Sequence, residues 1–176
     1  MSETTRKHKA EAPKILNFGI FVCSSSRYQL LKKGEKVKDV SGDLIESLLK
    51  SAGHRILFRK IIPDDKALIE EGVKMALEST NLDATIFCGG TGIAPSDVTI
   101  ETVSLHLEKV LLGFGEIFRR LSFDQVGSAA VLSRAMAGVA RGKAFFCIPG
   151  SPNAVKVSVE RLILPEVSHI VKHARE

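Results

Sequence analysis

Tryptophan is absent from this 176-residue chain and tyrosine occurs once, so nine phenylalanines carry nearly all of the aromatic burial. Cysteine is scarce. Cys23, Cys88 and Cys147 stand far apart with no CxxC pair, which excludes a disulfide framework and the usual zinc-finger spacings. All three fall at or near the ends of apolar runs and read as small buried hydrophobes. An odd number of thiols without a pairing motif points to a reducing compartment, the cytoplasm. No apolar run approaches the roughly 20 residues of a membrane span. Residues 1–14 lack the apolar stretch of a signal peptide. Also missing are GxGxxG, the Walker loop with its Lys-Ser/Thr pair, the GxSxG nucleophile elbow and HExxH.

Charge of both signs is plentiful: 25 Lys and Arg against 20 Asp and Glu, a formal net charge of +5. Such an excess suits an anionic small ligand, nucleic acid or simple solubility. Nucleic acid is the weaker choice, because no aromatic-interleaved basic pattern occurs. Part of the surplus lies in residues 32–38, a solvated loop by its composition. With 44% hydrophobic and 26% charged residues, the chain has the composition of one globular domain long enough for a substantial core.

Residues 1–13 have mixed charge and no periodicity, and are expected to form a disordered tail ahead of a single domain over 14–176. From Ile15 onward, apolar strand-like runs alternate with amphipathic helical stretches. Strands are predicted over 15–23, 54–62 and 84–88. Helices are predicted over 42–52, 65–79, 100–112, 115–121, 129–135 and 155–171, the last bent or broken at Pro165. Residues 138–140 and 144–148 bracket Arg141-Gly142-Lys143 as a β-hairpin. This alternation predicts an α/β fold: a three-layer α/β/α sandwich around a mainly parallel sheet, with a small hairpin element.

In such sheets ligands gather beyond the carboxyl ends of the strands. Four segments leave those ends here: Ser24-Ser25-Ser26-Arg27, Pro63-Asp64-Asp65, Gly89-Gly90-Thr91-Gly92 with Asp97, and Pro149-Gly150-Ser151-Pro152. Glycines let backbone N–H groups approach a ligand with no Cβ in the way. Thr91 adds a hydroxyl, and a helix starting near Thr99 would point its positive end inward. The third segment therefore has the build of a phosphate cradle, although a tight turn needing positive φ explains the glycines too. Asp64 and Asp97 suit Mg²⁺, which takes one or two carboxylates plus phosphate oxygens. The alternative for both is helix capping, the role assigned to Asp65. Wired in the usual right-handed way, the strands preceding these two aspartates are expected to be neighbours.

Ser151, followed by Pro152, reads equally as a plain N-cap and as a second phosphate contact. Arg27 and Arg134 are candidate anion clamps, the latter beside Ser133 in Leu132-Ser133-Arg134-Ala135. Glu166, His169 and His173 have helical-turn spacing, but no third zinc ligand accompanies the histidines, and they read as a solvated helix face.

Taken together, these motifs make a family resemblance. Gly89-Gly90-Thr91-Gly92 followed by Asp97-Val98-Thr99-Ile100-Glu101 resembles the signature of the molybdenum-cofactor biosynthesis MoaB/MogA family. The likeness runs from Ile15 to the C-terminal helix. It includes Ser26-Arg27, Asp39-Val40-Ser41-Gly42, Ile62-Pro63-Asp64-Asp65, Gly113-Phe114-Gly115-Glu116, Leu132-Ser133-Arg134-Ala135 and Pro149-Gly150-Ser151-Pro152. The resemblance implies adenylyl transfer from ATP to molybdopterin, with Mg²⁺ as cofactor, by homotrimers or homohexamers that hand their product to a metal-insertion protein. It implies that Asp64 and Asp97 are the catalytic, metal-holding pair. Ser24, Ser25, Ser26, Arg27, Gly89, Gly90, Thr91, Gly92, Ser133, Arg134, Gly150 and Ser151 would bind substrate phosphates. Two departures stand out: Ser96 occupies a position where many members carry Arg, and the first loop lacks a common acidic residue. They keep open a second expectation, a carrier that binds molybdopterin without adenylating it.

Overall fold

The structure is a computed structural model, and it describes residues 12–176. Most of the expected N-terminal tail lies outside the described residues. Six strands form one sheet: β1 (Asn17–Cys23), β2 (Arg55–Ile62), β3 (Ala84–Cys88), β4 (Lys109–Val110), β5 (Met136–Ala140) and β6 (Lys143–Ile148), in the spatial order β2-β1-β3-β6-β5-β4. β2, β1, β3 and β6 run parallel, while β5 and β4 add antiparallel edge pairings. The helices are α1 (Ser25–Lys32), α2 (Val40–Ser51), α3 (Lys66–Glu78), α4 (Thr99–Ser104), α5 (Leu112–Val126), α6 (Pro152–Ser158) and α7 (Leu164–Ala174).

Strand periodicity sorts the core into two layers, because successive side chains alternate across a sheet. Phe18, Ile20, Ile86, Phe146 and Ile148 face one side with Ile45 and Leu49 of α2, Phe118 of α5, Val155 of α6 and Val167 of α7. Phe21, Phe87, Phe145 and Cys147 face the other, against Ile69, Val73 and Ala76 of α3 and Val103 of α4. The Phe21 and Phe87 rings stack at 4.8 Å. Burial on both faces explains why β3 and β6 are apolar apart from Thr85 and Lys143.

Several elements differ from the sequence expectation. β1 lies between β2 and β3, so the strands leading to Asp64 and Asp97 are not neighbours. The helix predicted over 100–112 is the short α4 followed by β4, a two-residue strand that owes its existence to pairing with Val139 and Gly138. Residues 127–132 form a 3₁₀ helix, and the chain is extended by Met136. α1 escaped the hydrophobic pattern because it buries no residue. The helix predicted over 155–171 is two helices joined through a π-helical turn at Val159–Ile163. Pro165 has no N–H to give the preceding turn, and the wider turn accommodates that loss.

Candidate functional site

All four parallel strands end at the same sheet edge, and the loops that follow are bonded to one another. Ser24 N–H donates to the Ile62 carbonyl at 2.8 Å, joining the ends of β1 and β2. Gly89 N–H donates to the Ile148 carbonyl at 2.9 Å, joining β3 to β6. Ser41 Oγ donates to the Gly150 carbonyl at 2.6 Å and ties the start of α2 to the last loop. Gly150 passes so close to Gly89 that a Cβ on it would sit 3.4 Å from the Gly89 Cα.

Gly89 and Gly90 take φ values of +107° and +61°, a region costly for side-chain-bearing residues. A Cβ on Gly89 would also run into the Cys23 carbonyl oxygen. Part of the glycine pattern is therefore a backbone requirement. The rest is space: a Cβ on Gly90 would lie 2.8 Å from Asp64 Oδ1 and inside contact of Thr99 Oγ1, and one on Gly92 would lie 2.7 Å from Asp97 Oδ2. Both aspartates consequently press on the same glycine loop. The intervening β1 does not part them, because the loop crosses over its end.

Neither aspartate caps the helix that follows it in the chain. Asp64 Oδ2 accepts from Ser25 N–H at 2.8 Å and from Ser25 Oγ at 2.9 Å, leaving Oδ1 toward Gly90. Asp65 does the capping of α3, accepting from Leu68 N–H at 3.0 Å. Asp97 Oδ2 accepts from Ala94 N–H at 2.9 Å, and α4 is entered through Val98 with no side-chain cap. Ser24 and Ser151 do act as caps, for α1 and α6.

A cavity of about 280 Å³ opens over the loop, walled by residues 89–92, Asp97, Ser133, Arg134 and Gly150. Asp64, the 24–27 segment and Ser151 are not part of its wall. Asp64 reaches the loop on the Gly90 side, and Arg27 sits on the first turn of α1. Arg134 shapes the wall: its Nε donates to the Thr91 carbonyl at 2.9 Å, and its two amino groups meet the Glu101 carboxylate at 2.5 and 3.4 Å. Hydrogen bonding from Arg134 holds Glu101 below the usual carboxylate range.

Beneath the loop, burial pushes the Cys23 thiol up to about 12 and raises the Cys88 and Cys147 thiols as well, so all three stay protonated and inert. Thr99 Oγ1 is fully buried and has no partner at hydrogen-bonding distance among the described residues, although it lies near enough to Cys23 to oppose that rise. Asp39 caps α2 through Oδ1, donated to by Gly42 N–H at 3.1 Å, while its buried Oδ2 has no hydrogen bond and lies 3.9 Å from Arg59 Nε. Thr99, Glu101 and Ser41 were not singled out by sequence reasoning, although the strings containing them carried the resemblance. Nothing in the sequence pairs Glu101 with an arginine 33 residues away.

A mainly parallel α/β domain with a glycine-built, carboxylate-flanked pocket at its strand termini belongs to the class of open-sheet α/β proteins, in which ligands gather at those termini. The family described as "Probable molybdopterin binding domain" matches residues 19–169. Molybdenum cofactor biosynthesis protein B of Halalkalibacterium halodurans is 42% identical over 171 residues, 96% of each chain. The molybdopterin adenylyltransferase of Pyrococcus furiosus is 43% identical over 174 residues, 97% of this chain and 98% of its own. A crystal structure of a tungsten cofactor synthesizing protein MoaB from Pyrococcus furiosus superposes with a TM-score of 0.82 at 41% identity, over 94% of this chain and 100% of that one. The chain belongs to the molybdopterin-binding domain family.

Proposed function

We propose that this chain is a molybdopterin adenylyltransferase of molybdenum cofactor biosynthesis, dependent on Mg²⁺ and using ATP. The observation that carries the proposal is the meeting of Asp64 Oδ1 and Asp97 Oδ2 on one glycine loop. In the reaction, the terminal phosphate of molybdopterin attacks the α-phosphorus of ATP. One P–O bond forms, the bond to the bridging oxygen breaks, and pyrophosphate leaves with both electrons of that bond. No covalent protein intermediate is needed, so catalysis rests on positioning and charge neutralisation.

The residues fit Mg²⁺. Two carboxylates beside a loop shaped for phosphate supply the one or two protein oxygens this cation takes, and the unpartnered Thr99 hydroxyl adds a further oxygen nearby. Asp64 and Asp97 would hold it, and once bound it would neutralise charge on the reacting phosphates. The backbone N–H groups of Gly90 to Gly92 would donate to phosphate oxygens, with Gly150 closing the far wall. Arg134 keeps Thr91 in place, and Ser25 fixes the rotamer of Asp64.

Purified protein with molybdopterin, ATP and Mg²⁺ is expected to release pyrophosphate in step with adenylated product. Asp97→Asn and Asp64→Asn are each expected to lower that rate by about 10²-fold or more. Rates within about threefold of the parent in both variants overturn the metal assignment. One observation favours the carrier as a second reading: the cavity wall holds one cation, Arg134, and Glu101 already engages it. Molybdopterin binding without any pyrophosphate release would establish the carrier. The proposal extends to a cytoplasmic homotrimer or homohexamer that passes its product to the metal-insertion protein of the pathway; no described helix is long and apolar enough to cross a membrane.

A further inference from the structure

The arginine on the wall of the phosphate pocket is already engaged. A guanidinium carries five N–H donors, and Arg134 has three of them committed. Nε donates to the Thr91 carbonyl at 2.9 Å, and the two amino groups donate to Glu101 Oε1 and Oε2 at 2.5 and 3.4 Å. The two-pronged edge of a guanidinium fits a phosphate as it fits a carboxylate, so Glu101 covers the part of Arg134 that an anion would take. The two charges also cancel. What remains around the cavity is negative: Asp97 in the wall, and Asp64 on the Gly90 side of the loop. The Arg134 side chain is 33% exposed and that of Glu101 47%. An ion pair so open to water contributes little to folding, which leaves the pocket as the place where it acts.

We propose that Glu101 masks Arg134, so that the pocket rejects free phosphate anions and admits them together with the cation that Asp64 and Asp97 would hold. Glu101 is then a positioning residue that sets specificity through Arg134. The inference rests on the phosphate reading of the pocket and deepens it. Masking differs from simple support of the loop in the sign of its effect. Were Glu101 only a prop holding Arg134 against Thr91, its loss would loosen the glycine loop and weaken the binding of any anion. With masking, neutralising Glu101 removes a repelling charge and frees donors of Arg134, so affinity for a metal-free phosphate rises.

The test is calorimetric titration of the full chain with inorganic pyrophosphate in the presence of EDTA. Glu101→Gln is expected to bind it about 10-fold or more tightly than the parent, because a charge a few ångströms away near a protein surface acts strongly. Glu101→Ala is expected to show the same gain, and adding Arg134→Gln to either variant to abolish it. Equal or weaker binding by both Glu101 variants overturns the masking, as does a gain that survives the loss of Arg134. When the parent binds pyrophosphate with Mg²⁺, such a result leaves the phosphate reading standing. Absence of binding from parent and variants alike, with or without Mg²⁺, overturns that reading and the masking together.

Discussion

Gly89 illustrates how a single residue decides between a turn and a site. Its φ of +107° and the Cys23 carbonyl against its α-carbon exclude any side chain, whatever ligand binds. Gly89→Ala is expected to cost about 1–3 kcal/mol of folding free energy, measured by chemical denaturation. His54 makes a different argument at the same scale. It is buried, and its Nδ1 accepts the Leu16 N–H at 3.2 Å, a bond open only to the neutral ring. Burial lowers its pKa below the ordinary 6.5. The unfolded chain therefore takes up a proton that the folded one resists. This contribution to stability is complete above pH 6.5 and is lost as pH falls from there through the folded-state value. The unfolding midpoint is expected to drop between pH 7 and pH 5, and His54→Gln to flatten that slope.

At the scale of elements, adjacent aspartates divide their labour. Asp65 caps α3, and Asp64 faces the glycine loop. Asp65→Ala is expected to destabilise the fold by about 1 kcal/mol while leaving pyrophosphate release close to the parent's. Paired with the loss expected for Asp64→Asn, that result would separate capping from chemistry within two residues. The alternation of strands and helices was legible because buried strands and amphipathic helices have distinct periods. α1 and β4 were not, since one buries nothing and the other is two residues long. The candidate site was legible to the same degree. Glycines, aspartates and serines at strand ends announced the loops, whereas the clamp formed by Arg134, Glu101 and Thr91 depends on contacts that no spacing rule encodes.

Over the whole molecule, exposed apolar side chains gather where α5 runs into the 3₁₀ helix: Phe123 and Val126 fall within about 60° of arc on the last turn of α5, given 3.6 residues per turn, and Val131 and Leu132 continue exposed along the 3₁₀ helix. Exposed apolar groups gathered in this way mark association surfaces. The chain is expected to sediment as a trimer or hexamer, and Phe123→Lys to shift it toward monomer in analytical ultracentrifugation. A monomeric parent protein would overturn the oligomeric part of the proposal.

Lys143 marks the boundary between what the chain announces and what folding decides. Its position after Arg141-Gly142 identified a hairpin turn, but its ammonium is buried and donates to the carbonyls of Ala76, Leu77 and Ser79 at the end of α3. Sequence by itself determined the α/β class, the four loops and the kind of ligand they suit, because each of these follows from short-range pattern and residue chemistry. Only tertiary structure decided that β1 separates β2 from β3, that Asp64 and Asp97 nevertheless share a loop, and that two histidines point at each other across a helical turn. The physical reason is that strand order and side-chain aim are set by packing between segments distant in the chain, which local periodicity does not record.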